Sequence, residues 1–224
     1  MKILTVTAHP DDEILGFGGS SWVFAQKGHE VHHLILSGNV DARRYRPEVS
    51  ELNQDIENAN KLVGSSFELR DFPNIQFNVI PHIELVKCIE SVIEAFEPDM
   101  VFTHHPMDLN DDHKHVSNAC QAAVRLFQRK PMKRIKGFYF MEIPSSTDWA
   151  FPLGYGGFMP NTYIEITEQG LEKKLNALGA YQGVMRDFPH PRSKEGIRGL
   201  AAKRGGESGY QYAEAFQVVF QGLE

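Results

Sequence analysis

The chain has 224 residues, 42% hydrophobic and 23% charged, which supplies a folded core and excludes a disordered or fibrous polymer. A formal charge of −6, with no Lys/Arg-rich run, lacks the electrostatic footprint of a nucleic-acid binder. No apolar run approaches the roughly 20 residues that span a bilayer, and the stretch before Ala8 is too short for a secretory leader, so a cytoplasmic setting is expected.

From the N-terminus, residues 2–8 are short, β-branched and apolar at nearly every position, as a central strand covered on both faces requires. Gly16, Gly18 and Gly19 then predict a close-packed turn before a helix over 22–26. Residues 31–36 read as a second strand. A polar loop over 39–46 leads to a helix over 47–63, opened by Pro47 and stopped by Gly64. A short strand is expected near 67–69. Residues 81–96 carry Ile83, Val86, Ile89, Val92 and Ile93 at helical spacing, and Pro98 separates them from a strand over 99–103. Cys88 and Cys120 fall inside helical apolar patterns, as buried reduced thiols would.

This alternation predicts an α/β fold: a Rossmann-like, mostly parallel sheet with helices on both faces. After Lys130 the alternation weakens. A strand at 137–141 precedes a long loop over 144–160, whose Gly, Pro and aromatic content suits a lid or substrate wall. A strand at 163–167, helices near 171–181 and 194–203, and a strand at 213–220 follow. The expected organisation is one domain over 1–224, with 1–130 as the Rossmann-like core and 131–224 as an extension contributing substrate loops.

The densest chemistry lies in Ala8-His9-Pro10-Asp11-Asp12-Glu13, directly after strand one. Ligands of open parallel sheets gather outside the carboxyl ends of the strands, so a His and three acids stand at the expected mouth of a site. Catalytic zinc takes three His or carboxylate ligands and keeps one position for water; His9 and Asp12 could supply two from one turn. The plainer alternative is an acidic loop capping the next helix. A second segment weighs against it. Strand four is followed by His104-His105-Pro106-Met107-Asp108-Leu109-Asn110-Asp111-Asp112-His113-Lys114-His115, in a turn that should neighbour strand one. His113 is the preferred third ligand, with Asp112 as the carboxylate that fixes its ring tautomer. His104 and His105 are its rivals, while His115 points roughly 200° away on a helix and is expected to be exposed. Neither cysteine is near, which favours an open catalytic site over a closed structural one.

The two segments resemble the signatures of the PIG-L (LmbE-like) family of zinc-dependent de-N-acetylases. The family's Ala-His-Pro-Asp-Asp-Glu stands unchanged at 8–13, and its Asp-His pair opening a helix stands at Asp112-His113. The resemblance implies zinc, or another divalent transition metal, on His9, Asp12 and His113, with Asp11 as general base. It places Glu13 and Asp112 behind the ligands. One departure stands out: several members carry a His three residues before the last ligand, where this chain has Asn110. Asn110 can donate a hydrogen bond to an oxyanion but cannot shuttle a proton, which turns attention to His104 and to His190 in Pro189-His190-Pro191-Arg192-Ser193. The family's loop after strand two often carries substrate-binding arginine; here it holds Arg43, Arg44 and Arg46. Asp108, Arg192 and Trp149 are the other substrate-contact candidates, with Phe151, Tyr155 and Phe158 as further aromatic surfaces for a sugar ring.

The implied reaction is removal of an N-acetyl group from an N-acetylglucosamine-type sugar, free or linked to a carrier or nucleotide. Another N-acyl amide, such as an acylated amino acid or amine, is the rival substrate. A protein that binds a sugar or nucleotide without turnover has no need of a base beside an open metal position. A nicotinamide enzyme is disfavoured because Gly16-Phe-Gly-Gly19 does not match the dinucleotide spacing and no acid closes strand two. Related enzymes often form homo-oligomers, but no stretch here predicts an interface.

Overall fold

Every residue of strand β1 (Lys2–Thr7) after Lys2 is buried, as its apolar, β-branched sequence demands of a strand with neighbours on both edges and helices on both faces. The computed structural model describes residues 1–39, 47–151 and 156–222, and Arg43, Arg44, Arg46 and Tyr155 lie outside them. The other strands are β2 (Glu30–Ile35), β3 (Ser66–Leu69), β4 (Met100–His104), β5 (Gly137–Met141), β6 (Thr162–Glu165) and β7 (Ala213–Gln221). They form one sheet in the order β3-β2-β1-β4-β5-β7-β6. β1 to β5 run parallel, and β7 is antiparallel to both β5 and β6.

Two helical layers enclose the sheet. On one face lie α1 (Asp12–Gln26) and α2 (Val49–Val63), and on the other α3 (His82–Phe96), α4 (Asp111–Ala123) and the short α5 (Leu126–Arg129); α6 (Thr167–Ala180) and α7 (Lys194–Ser208) join the first layer. The alternation of β1 divides its side chains between two cores: Ile3 packs with Phe17, Phe102 and Tyr139, while Leu4 and Val6 pack with Ile89, Val101 and Val116. The first core is knit by aromatics, with the Phe17 and Phe102 rings 4.5 Å apart and Phe102 stacked on Tyr139 at 4.6 Å.

The largest departure from expectation is in α1, while α6 begins at Thr167, inside the expected strand over 163–167, and α7 runs on to Ser208. Helix α1 starts at Asp12, ten residues earlier than the expected helix over 22–26, and its glycines are helical packing sites rather than a turn. A Cβ at Gly16 would meet the Met141 sulfur at 2.7 Å and Ile143 at 2.8 Å, and one at Gly19 would meet Ile166 at 2.9 Å. The helix is also gripped from outside. Lys174 Nζ donates to the Leu15 carbonyl (2.7 Å) and to Glu214 Oε1 (2.6 Å), and the Gly19 and Ser20 amides donate to Glu214 at 3.0 and 2.7 Å. This buried pair ties α6 and β7 to α1.

The chain moves outward from β1 to β2 and β3, then returns to place β4 on the opposite side of β1. That reversal opens a crevice at the carboxyl ends of β1 and β4, where segments 8–13 and 104–113 emerge. Among the described residues no helix is long and apolar enough to cross a membrane.

Candidate metal centre and active site

The turn after β1 is closed by its own polar groups. Asp12 N donates to the His9 carbonyl (3.3 Å), and His9 N donates to Asp12 Oδ2 (3.0 Å). Asp11 holds a left-handed backbone, φ 97°, which costs a non-glycine residue energy and persists only where surrounding contacts enforce it. Its carbonyl accepts from Ile14 N and Leu15 N to start α1, while its carboxylate makes no capping bond. At Asp11 it is thus the backbone, not the side chain, that begins the helix. Behind the turn, the Asp11 amide donates to Glu13 Oε2 at 2.9 Å. Glu13 Oε1 accepts from the Tyr181 hydroxyl and, at 3.5 Å, from Asn60 Nδ2. Burial pushes the Glu13 carboxyl up to about 8, against the pull of the Tyr181 hydrogen bond.

The second segment meets the first through two stacked imidazoles. His104, at the end of β4, accepts the Ala8 amide on Nε2 at 2.9 Å, and its ring lies 3.8 Å from that of His113 at an interplanar angle of 14°. His113 sits in the first turn of α4, which Asn110 caps by accepting Asp112 N on its side-chain oxygen at 3.0 Å. His113 Nε2 faces Asp12 Oδ2 at 3.1 Å, and its Nδ1 faces Asp108 Oδ1 at 3.3 Å.

The carboxylates behind the rings differ from the expected arrangement. Asp112 does not serve His113, because adjacent residues on a helix do not face one another. Its Oδ2 instead meets His9 Nε2 at 3.0 Å, and the pair is anchored by the amides of Ile75 (2.6 Å) and Phe77 (2.9 Å). The partner of His113 is Asp108, which also accepts from Asn110 N and the Thr147 hydroxyl, both at 3.0 Å. Asp108 is buried at 1% exposure, so it supports the ring from behind rather than offering a substrate contact.

Ligand atoms of His9, Asp12 and His113 all lie within 4.8 Å of one another, and all three residues are buried. With His9 Nε2 taken by Asp112, its Nδ1 is the nitrogen turned to Asp12, at 3.4 Å. His113 Nε2 is buried without a hydrogen-bond partner although Asp12 Oδ2 is only 3.1 Å away. Two polar atoms this close without hydrogen-bond alignment fit a pair directed at a common third point. Two imidazoles and a carboxylate match the donor set of a catalytic divalent metal, each imidazole backed by a carboxylate on its far nitrogen. A second grouping, His104, Asp108 and His113, overlaps the first. In it Asp108 accepts from Asn110 and Thr147 and His104 Nε2 from the Ala8 amide, while His104 Nδ1 and His113 Nδ1 are buried without a hydrogen-bond partner.

The electrostatics agree. Burial opposes the imidazolium of His113, but the Asp12 and Asp108 carboxylates outweigh it and push it up to about 10. Burial likewise opposes the Asp12 carboxylate, yet His113 and His9 hold it well below the usual range. His104, a stacking distance away, is driven down to about 3 by burial and by the charge of His113. The protein groups thus gather carboxylates that demand a cation; a proton on His113 is one, and a divalent ion that displaces it is the other.

The remaining candidates divide between brace and rim. Arg192 Nη1 donates to Asp11 Oδ2 at 3.2 Å, and its Nε donates to the Pro144 carbonyl (3.2 Å) and Ser145 Oγ (2.8 Å). It was expected at the substrate; the structure places it on the Asp11 carboxylate. His190 accepts Arg192 N at 3.0 Å and sets its ring edge-on to Trp149 at 5.2 Å, while burial and the nearby Arg192 lower its pKa. Trp149 (46% exposed) and Phe151 (85% exposed) stand at the surface. His105 accepts Met107 N and packs edge-on against Phe140 and Phe158, and the half-buried His115 pairs with Asp111 at 3.3 Å. Tyr181, Asn60 and Thr147 were missed: a lone hydroxyl or amide in a helical or loop pattern carries no local signal of a partner 168 residues away, the separation of Tyr181 from Glu13.

The family model for PIG-L, the GlcNAc-PI de-N-acetylases, matches residues 4–124, more than half of the chain and the span that carries both motifs. The protein belongs to the PIG-L family. The uncharacterized deacetylase YaiS of Escherichia coli K12 is 25% identical over 183 residues, covering 79% of this PIG-L chain and 88% of the relative. The diacetylchitobiose deacetylase of Thermococcus kodakarensis is 24% identical over 228 residues, covering 97% and 83%. Among solved structures, the 4-carboxy-2-hydroxymuconate hydratase GalB of Pseudomonas putida superposes with a TM-score of 0.79 at 20% identity, over 100% of this chain and 98% of its own. GalB shares the fold, and a fold shared by deacetylases and a hydratase does not by itself specify the reaction.

Proposed function

We propose that this PIG-L protein is a zinc-dependent hydrolase that removes the N-acetyl group from an N-acetylglucosamine-type sugar. Family membership and the deacetylase relatives indicate a hydrolytic deacetylase. The observation that carries the reading is the buried grouping of His9, Asp12 and His113 beside an Asp11 carboxylate held by Arg192.

Zinc held by His9, Asp12 and His113 would supply Lewis acidity toward the acyl oxygen and would make water a stronger acid at its open position. Asp11, its carboxylate aimed by Arg192, would accept the proton of the attacking water. Asn110 has spent its oxygen on the α4 cap, so its NH2 remains as the donor to the developing oxyanion. His104 is a positioning group in this scheme, since burial keeps it neutral and its Nε2 accepts from Ala8. Asp11 therefore returns the proton to the departing amine; His190, expected as a second acid, has its pKa lowered by burial and Arg192 and accepts the Arg192 amide, so it serves the rim rather than the proton transfer. Arg43, Arg44 and Trp149 contact the sugar, and the single domain draws its substrate-side loops from residues 131–224. A cytoplasmic setting is supported by the two unpaired thiols, Cys88 and Cys120.

The test is acetate release from a panel of N-acetyl sugars and N-acetyl amino acids, with wild type and Asp11→Asn. The expected result is turnover of sugars, with Asp11→Asn keeping its metal while losing about 100- to 10,000-fold in turnover. Turnover confined to acetyl amino acids would overturn the substrate class, and near-full activity of Asp11→Asn would overturn the base.

A further inference from the structure

Asp11 adopts a backbone conformation that its own sequence does not favour, and the contacts that enforce it come from three separate elements. Its amide is bound by Glu13, two residues on, at 2.9 Å. Glu13 is fully buried, and its other oxygen is fixed by Asn60 of α2 and by Tyr181, the residue that closes α6. Tyr181 itself is 1% exposed. The next residue pins the end of α6 to α2, Gln182 N donating to Asp55 Oδ2 at 3.1 Å. The hydroxyl is therefore held at a fixed point relative to α1, and Glu13 has little freedom to release the Asp11 amide. Without that acceptor the left-handed turn at Asp11 would lose one of the bonds that offset its strain.

We propose that Tyr181, acting through Glu13, is a positioning residue that fixes the backbone at Asp11 and so aims the general base. The inference rests on the reading of Asp11 given above. Tyr181 lies beyond the family-matched span of 4–124, so part of the aim of this base is set by the chain's C-terminal region. Small misplacements of a base cost rate rather than affinity, because the substrate still binds while the proton is transferred along a poorer path.

Tyr181→Phe deletes one hydroxyl and keeps the ring, and Glu13→Gln keeps the size of the acid. With bound metal and fold verified at the assay temperature, Tyr181→Phe is expected to lower kcat by about tenfold while KM stays within about twofold. In the Glu13→Gln background the same substitution is expected to cost less than about twofold further, since the two residues act through one hydrogen bond. An arm independent of turnover reads amide exchange over residues 11–13, expected to speed up about tenfold in Tyr181→Phe while the amides of β1 stay unchanged. A kcat within twofold of wild type, losses that multiply independently in the double variant, or unaltered exchange at 11–13 would each overturn the proposal. A wild-type protein that turns over no N-acyl substrate would instead defeat the deacetylase reading, and the exchange arm would still decide the role of Tyr181.

Discussion

Residues 4–124 and residues 137–222 build the site in different ways. Among the described residues, the first region supplies the grouping that could hold a metal ion: His9 and Asp12 from the turn after β1, His113 from the turn after β4, with Asp108 and Asp112 backing the rings. The second region supplies restraints. Arg192 holds the Asp11 carboxylate, Tyr181 holds Glu13, Thr147 holds Asp108, and the Lys174–Glu214 pair grips α1. Reactive groups cluster in sequence because a tight turn at a strand end presents several side chains to one crevice. Restraints are scattered because any residue that packs nearby can provide one.

Breaking the first region should have the largest effect. His113→Ala is expected to abolish tight metal binding and to leave Asp12 and Asp108 as buried carboxylates without their shared cation, a loss of about 3 to 5 kcal/mol in urea unfolding. A variant that retained stoichiometric metal would mean that the ligand set is wrong. The carboxylates behind the rings sharpen the contrast. Asp112→Asn, acting through His9, and Asp108→Asn, acting through His113, should each weaken metal affinity about 10- to 100-fold in a calorimetric titration. In the second region, Arg192→Met should lower kcat by about tenfold and leave metal content unchanged, because it touches the base and no ligand. Loss of metal in Arg192→Met would erase the distinction between the two regions.

One further effect concerns pH and lies away from the crevice. His33 is wholly buried against Thr5 and Ser21, and burial drives its pKa down to about 3. Between 6.5 and 3 the unfolded chain takes up a proton that the folded imidazole refuses. The stability from neutral His33 is therefore complete above pH 6.5 and is lost as pH falls toward 3, by up to about 1.4 kcal/mol per pH unit. Urea unfolding between pH 5 and 7 should show a shallower pH slope in His33→Gln than in wild type, and equal slopes would refute this account of His33.

What was legible in the sequence follows the same division. The strands, the parallel order around β1 and the meeting of the two His- and Asp-rich turns were readable, because central strands are short apolar runs and the ends of adjacent strands open on one crevice. Helix α1 was misread because it is buried nearly all round, so no polar face marks its period, and because Gly16 and Gly19 serve Met141, Ile143 and Ile166 rather than a turn. The partners of His9 and His113 were only half legible: proximity in sequence suggested Asp112 for His113, whereas helix geometry turns Asp112 to His9 and brings Asp108 to His113. Arg192 was visible as a basic residue in a Pro-rich loop, but its attachment to Asp11, 181 residues away, depends on that loop meeting the segment after β5 and the turn after β1. Tyr181 had no local signal at all.

The central claim is that His9, Asp12 and His113 share one divalent ion. Anomalous diffraction at the zinc edge from crystals grown with stoichiometric zinc tests it most directly. One strong peak per chain, bonded to His9 Nδ1, an Asp12 oxygen and His113 Nε2, is the predicted result. A peak held instead by His104, Asp108 and His113, or no peak at the ends of β1 and β4, would contradict it.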